Sequence, residues 1–234
     1  MPRRALVPAV LVTLLPLAGC VGSSDSAWSE ALAGRAFGDT SSSAFLPEDL
    51  VAAMPSKAYV DTGLDHDFRF SAVVVSGEFT AVENGRAMDW STDDGDEVPW
   101  DAEADTRTLR TTFEVDRTID VADQVPAPGP GDSLSVQVVV DGSDDAEAVA
   151  QGLLDLGPSV VFLAELPEGD GDWRIALDGA LVATVDGSSG VLELPVVAAA
   201  GTRGDADDLL GAGTTIDDLD RAAGVAAEVS VAND

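Results

Sequence analysis

The sequence predicts a mainly β protein, with a single β-barrel or β-sandwich over residues 58–200, a few short helices and a short C-terminal helix. Three observations predict this class. About seven short apolar or alternating segments are separated by turns rich in Gly, Pro and Asp, and segments with helical periodicity are sparse. Hydrophobic residues make up 45% of the 234 residues, which is enough to fill a core of that size.

The first two strands are the longest. Residues 68–82 are apolar and β-branched and are interrupted by Gly77, which predicts a buried strand with a bulge or bend. Residues 107–121 alternate between apolar and polar side chains almost without a break, so that one face is expected in the core and the other in water. Residues 83–105 between them are expected to form a long acidic loop.

The second half of the domain is predicted from shorter signals. In order, we expect a third strand over 134–140, a helix over 144–156, a strand over 159–166, a hairpin of 173–177 with 180–185 around Asp178-Gly179, and a strand over 191–197. This order of long strand, long alternating strand, third strand, helical insert and hairpin is loosely similar to OB-type barrels found in exported proteins.

The first 20 residues have the anatomy of an export signal. Arg3 and Arg4 precede an apolar run of 13 residues, which is too short to span a bilayer as a helix but suits a signal peptide over 1–19. The run ends in Leu17-Ala18-Gly19-Cys20. These four residues resemble the lipobox of prokaryotic lipoproteins. The resemblance implies that Cys20 receives a diacylglyceryl group on sulfur, often with a further acyl chain such as palmitate on its amine. An ordinary secretory signal with a chance cysteine is the alternative.

The mature chain divides into four predicted segments: a lipid anchor and flexible tether over 20–45, a short helix over 46–57, the β domain over 58–200, and an acidic tail with a short helix over 201–234. Within the tether, Trp28, Leu32 and Phe37 leave open a weak helix or a docking segment. In the tail, Thr215 is expected to cap a helix together with Asp218.

The charge balance excludes one class of partner. The chain has 43 acidic and 12 basic residues, a net charge of −31, which becomes −33 when Arg3 and Arg4 leave with the signal peptide. Such a surface repels phosphate backbones and anionic lipid headgroups, so no nucleic-acid partner is expected. The charge fits either compositional bias with solubility or adaptation to high salt.

The sequence predicts no catalytic residue and no cofactor. Asp61-Thr62-Gly63 spells the triplet of aspartic proteases, but no second triplet exists to supply the paired carboxylate. His66 is the only histidine, and no nucleophile elbow accompanies it. Cys20 is the only cysteine, so disulfides and cysteine metal sites are excluded.

Two acidic clusters and two tryptophans are the remaining candidates for a site. The clusters are Asp93, Asp94, Asp96, Glu97 and Asp101, and Asp141, Asp144, Asp145 and Glu147. Neither matches the EF-hand loop, so solvated loops are favoured over Ca²⁺ binding. Trp90 and Trp100 flank the first cluster and either present it to a partner or fix it to the barrel.

The sequence therefore predicts a lipoprotein on the extracytoplasmic face of the cell membrane, held there by the lipid on Cys20. Its domain is expected to be a non-enzymatic binding or structural module with an unknown protein or ligand partner at the envelope. A Ca²⁺-dependent binding module and an envelope hydrolase with a carboxylate pair are the alternatives.

Overall fold

The computed structural model describes residues 27–37, 59–61, 67–69, 72–92, 95–121, 125–166, 172–176, 179–199 and 213–221, and these are mainly β. The helices are α1 (Ala27–Phe37), α2 (Ala146–Leu154), α3 (Pro195–Ala199) and α4 (216–221). The strands are β1 (Tyr59–Asp61), β2 (Asp67–Arg69), β3 (Val73–Asp89), β4 (Asp96–Val98), β5 (Thr106–Val121), β6 (Ser133–Asp141), β7 (Ser159–Glu165), β8 (Trp173–Ile175), β9 (Val182–Val185) and β10 (Leu192–Glu193). None of the described helices has the length and apolar character needed to cross a membrane.

Eight of the strands form one sheet, and five of these close into a ring. The sheet order is β10-β9-β7-β8-β6-β5-β3-β4, and β7 also pairs with β3. The ring is therefore β3-β5-β6-β8-β7, in which only β6 and β8 run parallel. In chain order the ring reads 1-2-3-5-4, with α2 between the third and fourth strands. This is the arrangement of an OB-type barrel, and the predicted mainly β class with a short C-terminal helix is confirmed.

The alternation of β5 fills the barrel as predicted. Leu109, Phe113 and Val115 are buried. Arg110, Glu114 and Asp116, on the opposite face of the strand, are exposed. The ring of Phe79 on β3 meets Phe113 edge to face at 5.0 Å between centroids. Gly77 sits at a register shift, where a Cβ would overlap the carbonyl oxygen of Glu114. The break predicted at this glycine is therefore confirmed, because only glycine permits the close approach.

Helix α1 belongs to the folded domain, so the flexible tether predicted over 20–45 is wrong for residues 27–37. Trp28 and Leu32 are 3% and 0% exposed and join the main core. They lie one turn apart and therefore share one side of the helix, which packs against α2, α3 and β6. The sequence left open a weak helix or a docking segment here, and the structure shows a helix that packs on the core. Residues 20–26 and the helix predicted over 46–57 lie outside the described residues.

Two predicted elements of the second half are wrong. The hairpin around Asp178-Gly179 does not form, because β8 and β9 both pair antiparallel with β7 and follow one another along it. Between β8 and β9, Gly179 has φ +101° and lies close to Leu32 of α1. The strand predicted over 191–197 ends at Glu193, because α3 begins at Pro195. Proline is well tolerated at the first position of a helix.

The boundaries of the β domain also change. Residues 83–89 continue β3 and residues 96–98 form β4, so the long loop predicted over 83–105 is largely a hairpin. Residues 213–221 of the predicted tail belong to the domain, because Thr215 bridges to Val191 and Leu219 is 7% exposed. The predicted cap is confirmed, with the Asp218 amide donating to Thr215 Oγ1 at 3.3 Å and the Thr215 hydroxyl donating to Asp218 Oδ2 at 2.8 Å.

Candidate functional site

The candidate site is the hairpin at the far end of the two long strands, residues 83–105, here called the outer hairpin. Its described residues, 83–92 and 95–105, include the end of β3, β4, which pairs back on β3, and the turn that leads into β5. One edge of β3 pairs with β5 along its length. The other edge pairs with β7 at residues 73–77 and, in the described chain, only with β4 beyond them. The outer hairpin thus extends past the ring, and most of its described side chains are exposed.

Trp90 is exposed and yet held in place. Its residue surface is 52% accessible, and the only other exposed large hydrophobic residue in the described chain is Leu154. The Trp90 amide donates to Asp105 Oδ2 at 2.6 Å, and Nε1 of the indole donates to Thr106 Oγ1 at 3.1 Å. Gly95, at φ +67°, lies against the ring so closely that a Cβ would come within 2.5 Å of Cε3. The indole is therefore held in one orientation although it is exposed.

Trp100 has the opposite role and fixes the hairpin to the barrel. It is partly buried against the core, and the Arg107 guanidinium lies 5.9 Å from its ring centroid. Arg107 also donates to the carbonyl oxygens of Trp100, Ala102 and Gly142 at 3.3, 2.9 and 2.5 Å. The sequence left open whether the two tryptophans present the loop to a partner or fix it to the barrel. The structure shows that Trp100 fixes it, and that Trp90 is exposed while its indole is bonded to Thr106 of β5.

Two carboxylates of the outer hairpin, Asp89 and Asp105, lie next to Trp90, the second as the acceptor of its amide. Asp89 Oδ1 accepts the Ser91 amide at 2.8 Å, and the backbone and side chain of Ser91, followed by Asp105, lower the pKa of Asp89. Asp96, Glu97 and Asp101 of the first predicted cluster are exposed, whereas Asp93 and Asp94 lie outside the described residues. Across the described part of the chain, no three His, Cys, Asp or Glu side chains come together as metal ligands would.

The second predicted cluster is used by the fold. Asp141 accepts a hydrogen bond from Arg35 of α1 at 3.1 Å, and Asp145 caps α2 by accepting the amides of Glu147 and Ala148 at 3.1 Å each. Partial burial, and then the charge of Asp141, raises the pKa of Asp144. These carboxylates therefore join α1 and α2 to the end of β6.

A polar row on the barrel wall was missed from the sequence. Arg110, Gln137 and Arg174 are neighbours across β5, β6 and β8, and Gln137 Nε2 donates to Asp172 at 2.9 Å. The nearby Ser135 hydroxyl, then Gln137 and the charge of Arg110, lower the pKa of Asp172. Ser135 Oγ has no partner of full hydrogen-bond geometry, so the Gln137 bond is the firmer contact. These residues become neighbours only because β6 pairs with β5 on one side and, in parallel, with β8 on the other.

Of the remaining predicted residues, only Asp61 lies in the described part of the chain. Asp61 ends β1, but Thr62, Gly63, His66 and Cys20 are not among the described residues. Comparison with protein-family models, with curated proteins and with solved structures found no match.

Proposed function

We propose that this chain is a lipoprotein of the cell envelope, anchored through Cys20 to the extracytoplasmic face of the membrane, whose barrel binds a partner without catalysing a reaction. The n-region, apolar run and lipobox-like Leu17-Ala18-Gly19-Cys20 support the anchor. Only six residues separate Cys20 from Ala27, where α1 begins. A fully extended chain of that length spans at most about 25 Å, so the anchor would hold the start of α1 close to the membrane.

The observation that carries the proposal is the position of Trp90 relative to that anchor. Helix α1 begins near Trp28, which packs on Gly152 towards the end of α2, and it reaches Arg35, which pairs with Asp141. Asp141 in turn pairs across the sheet with Thr106, the residue that holds the Trp90 indole. The helix is about 16 Å long. The anchored end and the outer hairpin therefore lie at opposite ends of α1, which would display Trp90 away from the membrane.

Lipid attachment is tested by metabolic labelling of the full chain in a bacterial host with an alkyne analogue of palmitate. We expect label and membrane association in the native chain and neither in the Cys20→Ala variant. Ser24→Ala, four residues further on, is the matched control and should leave both unchanged. Membrane-bound chain that carries no label, with a free thiol at Cys20 by mass spectrometry, would contradict the proposal.

Partner binding is tested on intact cells with a photo-crosslinking side chain at one of two positions. Benzoylphenylalanine at position 90 places the probe on the outer hairpin, and at position 154 it replaces Leu154, the other exposed large hydrophobic residue. We expect discrete crosslinked products from position 90 and none from position 154, which lies near the anchored end. Equal or absent crosslinking at both positions would show that the outer hairpin is not the binding surface.

A further inference from the structure

We propose that the outer hairpin binds a basic peptide segment of its partner, with a lysine or arginine side chain placed over the indole of Trp90. This inference rests on the proposed binding function and specifies the chemistry of the partner. It depends on two independent features of the hairpin: a fixed, exposed aromatic ring, and an excess of acidic over basic residues within residues 83–105. Arg107, which follows the hairpin in β5, directs its guanidinium at the carbonyl oxygens of Trp100, Ala102 and Gly142.

The charge excess is local as well as global. Residues 83–105 contain nine acidic residues and one basic residue, Arg86. The seven acidic residues that the structure describes are exposed or half-buried: Glu83, Asp89, Asp96, Glu97, Asp101, Glu103 and Asp105. In the described part of this hairpin, Arg86 makes one ion pair, a 4.0 Å contact with Glu97 between side chains that are 76% and 66% exposed. The surface around Trp90 therefore attracts cations and repels anions.

The indole supplies the apolar component of the site. A cation positioned over the face of a tryptophan is attracted by the ring quadrupole, more strongly than over the other aromatic rings. Asp89 and Asp105 flank Trp90 directly, the first as its chain neighbour and the second as the acceptor of its amide. Because the ring is already held by Thr106 and Gly95, little of the binding energy is lost in ordering it.

The same carboxylates suit a peptide better than a metal ion. Asp105 and Asp89 direct oxygens at the backbone of Trp90 and Ser91, and Asp96 lies 3.4 Å from the Thr92 hydroxyl. The charge is therefore spread along the hairpin, where it matches several cations carried on flexible stems. Nucleic acids and anionic lipid surfaces have the wrong sign of charge for this surface.

The test uses the full chain with Cys20→Ala, so that binding in solution does not depend on lipid. The probe is a fluorescent peptide in which arginine alternates with glycine, and the control peptide carries glutamine in place of arginine. We expect a saturable rise in fluorescence anisotropy for the arginine peptide that weakens as ionic strength rises, because salt screens exposed charges beyond about 10 Å at 0.1 M. No rise for the arginine peptide, or an equal rise for both peptides, would overturn the inference.

Variants distinguish the contribution of the Trp90 indole to peptide binding from that of the overall negative charge. Trp90→Ala should raise Kd about fivefold or more, Trp90→Phe less, and Leu154→Ala not at all. The double variant Asp96→Asn with Glu97→Gln removes two charges from the hairpin and should raise Kd. The control, Glu114→Gln with Asp116→Asn, removes the same charge from β5, at least eight residues, or about 26 Å, from Thr106, and should raise Kd less. Equal effects of the two double variants, or no effect of Trp90→Ala in a chain with native circular dichroism, would contradict the site.

The outcomes also distinguish this inference from the proposed function. Crosslinking at position 90 on cells without binding of the arginine peptide would leave the binding function standing and show that the partner is not basic. Peptide binding by the Cys20→Ala chain, together with no palmitate label on the native chain, would leave the site standing and show that the chain is not a lipoprotein.

Discussion

Trp28 of α1 lies directly on Gly152 of α2. A Cβ at Gly152 would come within 2.5 Å of Cδ1 of the indole and 2.7 Å of its Cβ, and both residues are buried. Glycine within a helix costs roughly 0.5–1 kcal/mol relative to alanine, so its presence here follows from the close approach of the two helices. The contact makes the helix that follows the proposed anchor part of the barrel core.

Gly152→Ala is therefore expected to destabilise the protein by about 1–3 kcal/mol, since the gain in helix propensity is smaller than the cost of displacing Trp28. Gly34→Ala in α1 is the matched control, because nothing lies within 4 Å of a Cβ at that position. It should stabilise the protein by roughly 0.5–1 kcal/mol. Urea unfolding of both variants measures the difference, and a stabilising Gly152→Ala would show that the helices do not pack this closely.

Local patterns predicted the strands of the barrel but not all of their partners. The alternation of β5 and the break at Gly77 follow from side-chain period and backbone geometry, and both were predicted correctly. The Asp178-Gly179 pair is a strong hairpin signal, yet β8 and β9 pair with β7 instead. A turn signal describes only local preference, whereas the outcome here depends on an apolar strand that can accept both segments.

The candidate site was predictable as a set of residues but not as an arrangement. Trp90 and Trp100 have similar acidic surroundings in sequence, so nothing local separates the exposed ring from the partly buried one. Their roles are decided by Arg107 and Thr106, which follow in β5, and by the carbonyl of Gly142, 35 residues away from Arg107. Such distant contacts have no periodic signal in the sequence.

Trp28→Ala is expected to cost about 3–5 kcal/mol of folding stability, because a large buried aromatic side chain would leave a cavity among α1, α2 and the barrel. Leu154→Ala, a truncation at a residue that is 36% exposed, should cost about 1 kcal/mol or less. Thermal or urea unfolding gives both values. A negligible effect of Trp28→Ala would mean that residues 27–37 act as a loose tether after all.

Arg107→Ala is expected to destabilise the protein by about 1–3 kcal/mol and to loosen the outer hairpin, because three backbone carbonyls lose a charged donor at once. Arg86→Ala removes an exposed arginine whose ion pair spans 4.0 Å, so its effect should stay within about 0.5 kcal/mol. Amide hydrogen exchange over residues 95–105 measures the loosening. If the two variants exchange alike, Arg107 does not hold this segment.

Asp218 is expected to make part of the stability depend on pH. The Thr215 hydroxyl, which donates to its carboxylate at 2.8 Å, and then Arg221, at 2.7 Å, lower the pKa of Asp218 from 3.8 to about 2. A carboxyl group whose pKa is depressed in the folded state stabilises the fold fully above its unfolded pKa. That contribution is lost as pH falls from about 4 through the folded value near 2.

Unfolding in urea at a series of pH values, for the native chain and for Asp218→Asn, should therefore give a stability difference that is constant near neutral pH and shrinks below about pH 4. Thr215→Val removes the strongest cause of the shift, so the pKa of Asp218, followed by NMR, should rise towards 3.8 in that variant. These results together would show that the contact between Thr215 and Asp218 at the start of α4 contributes to folding stability. Titration of Asp218 near 3.8 in the native chain would contradict the reciprocal cap.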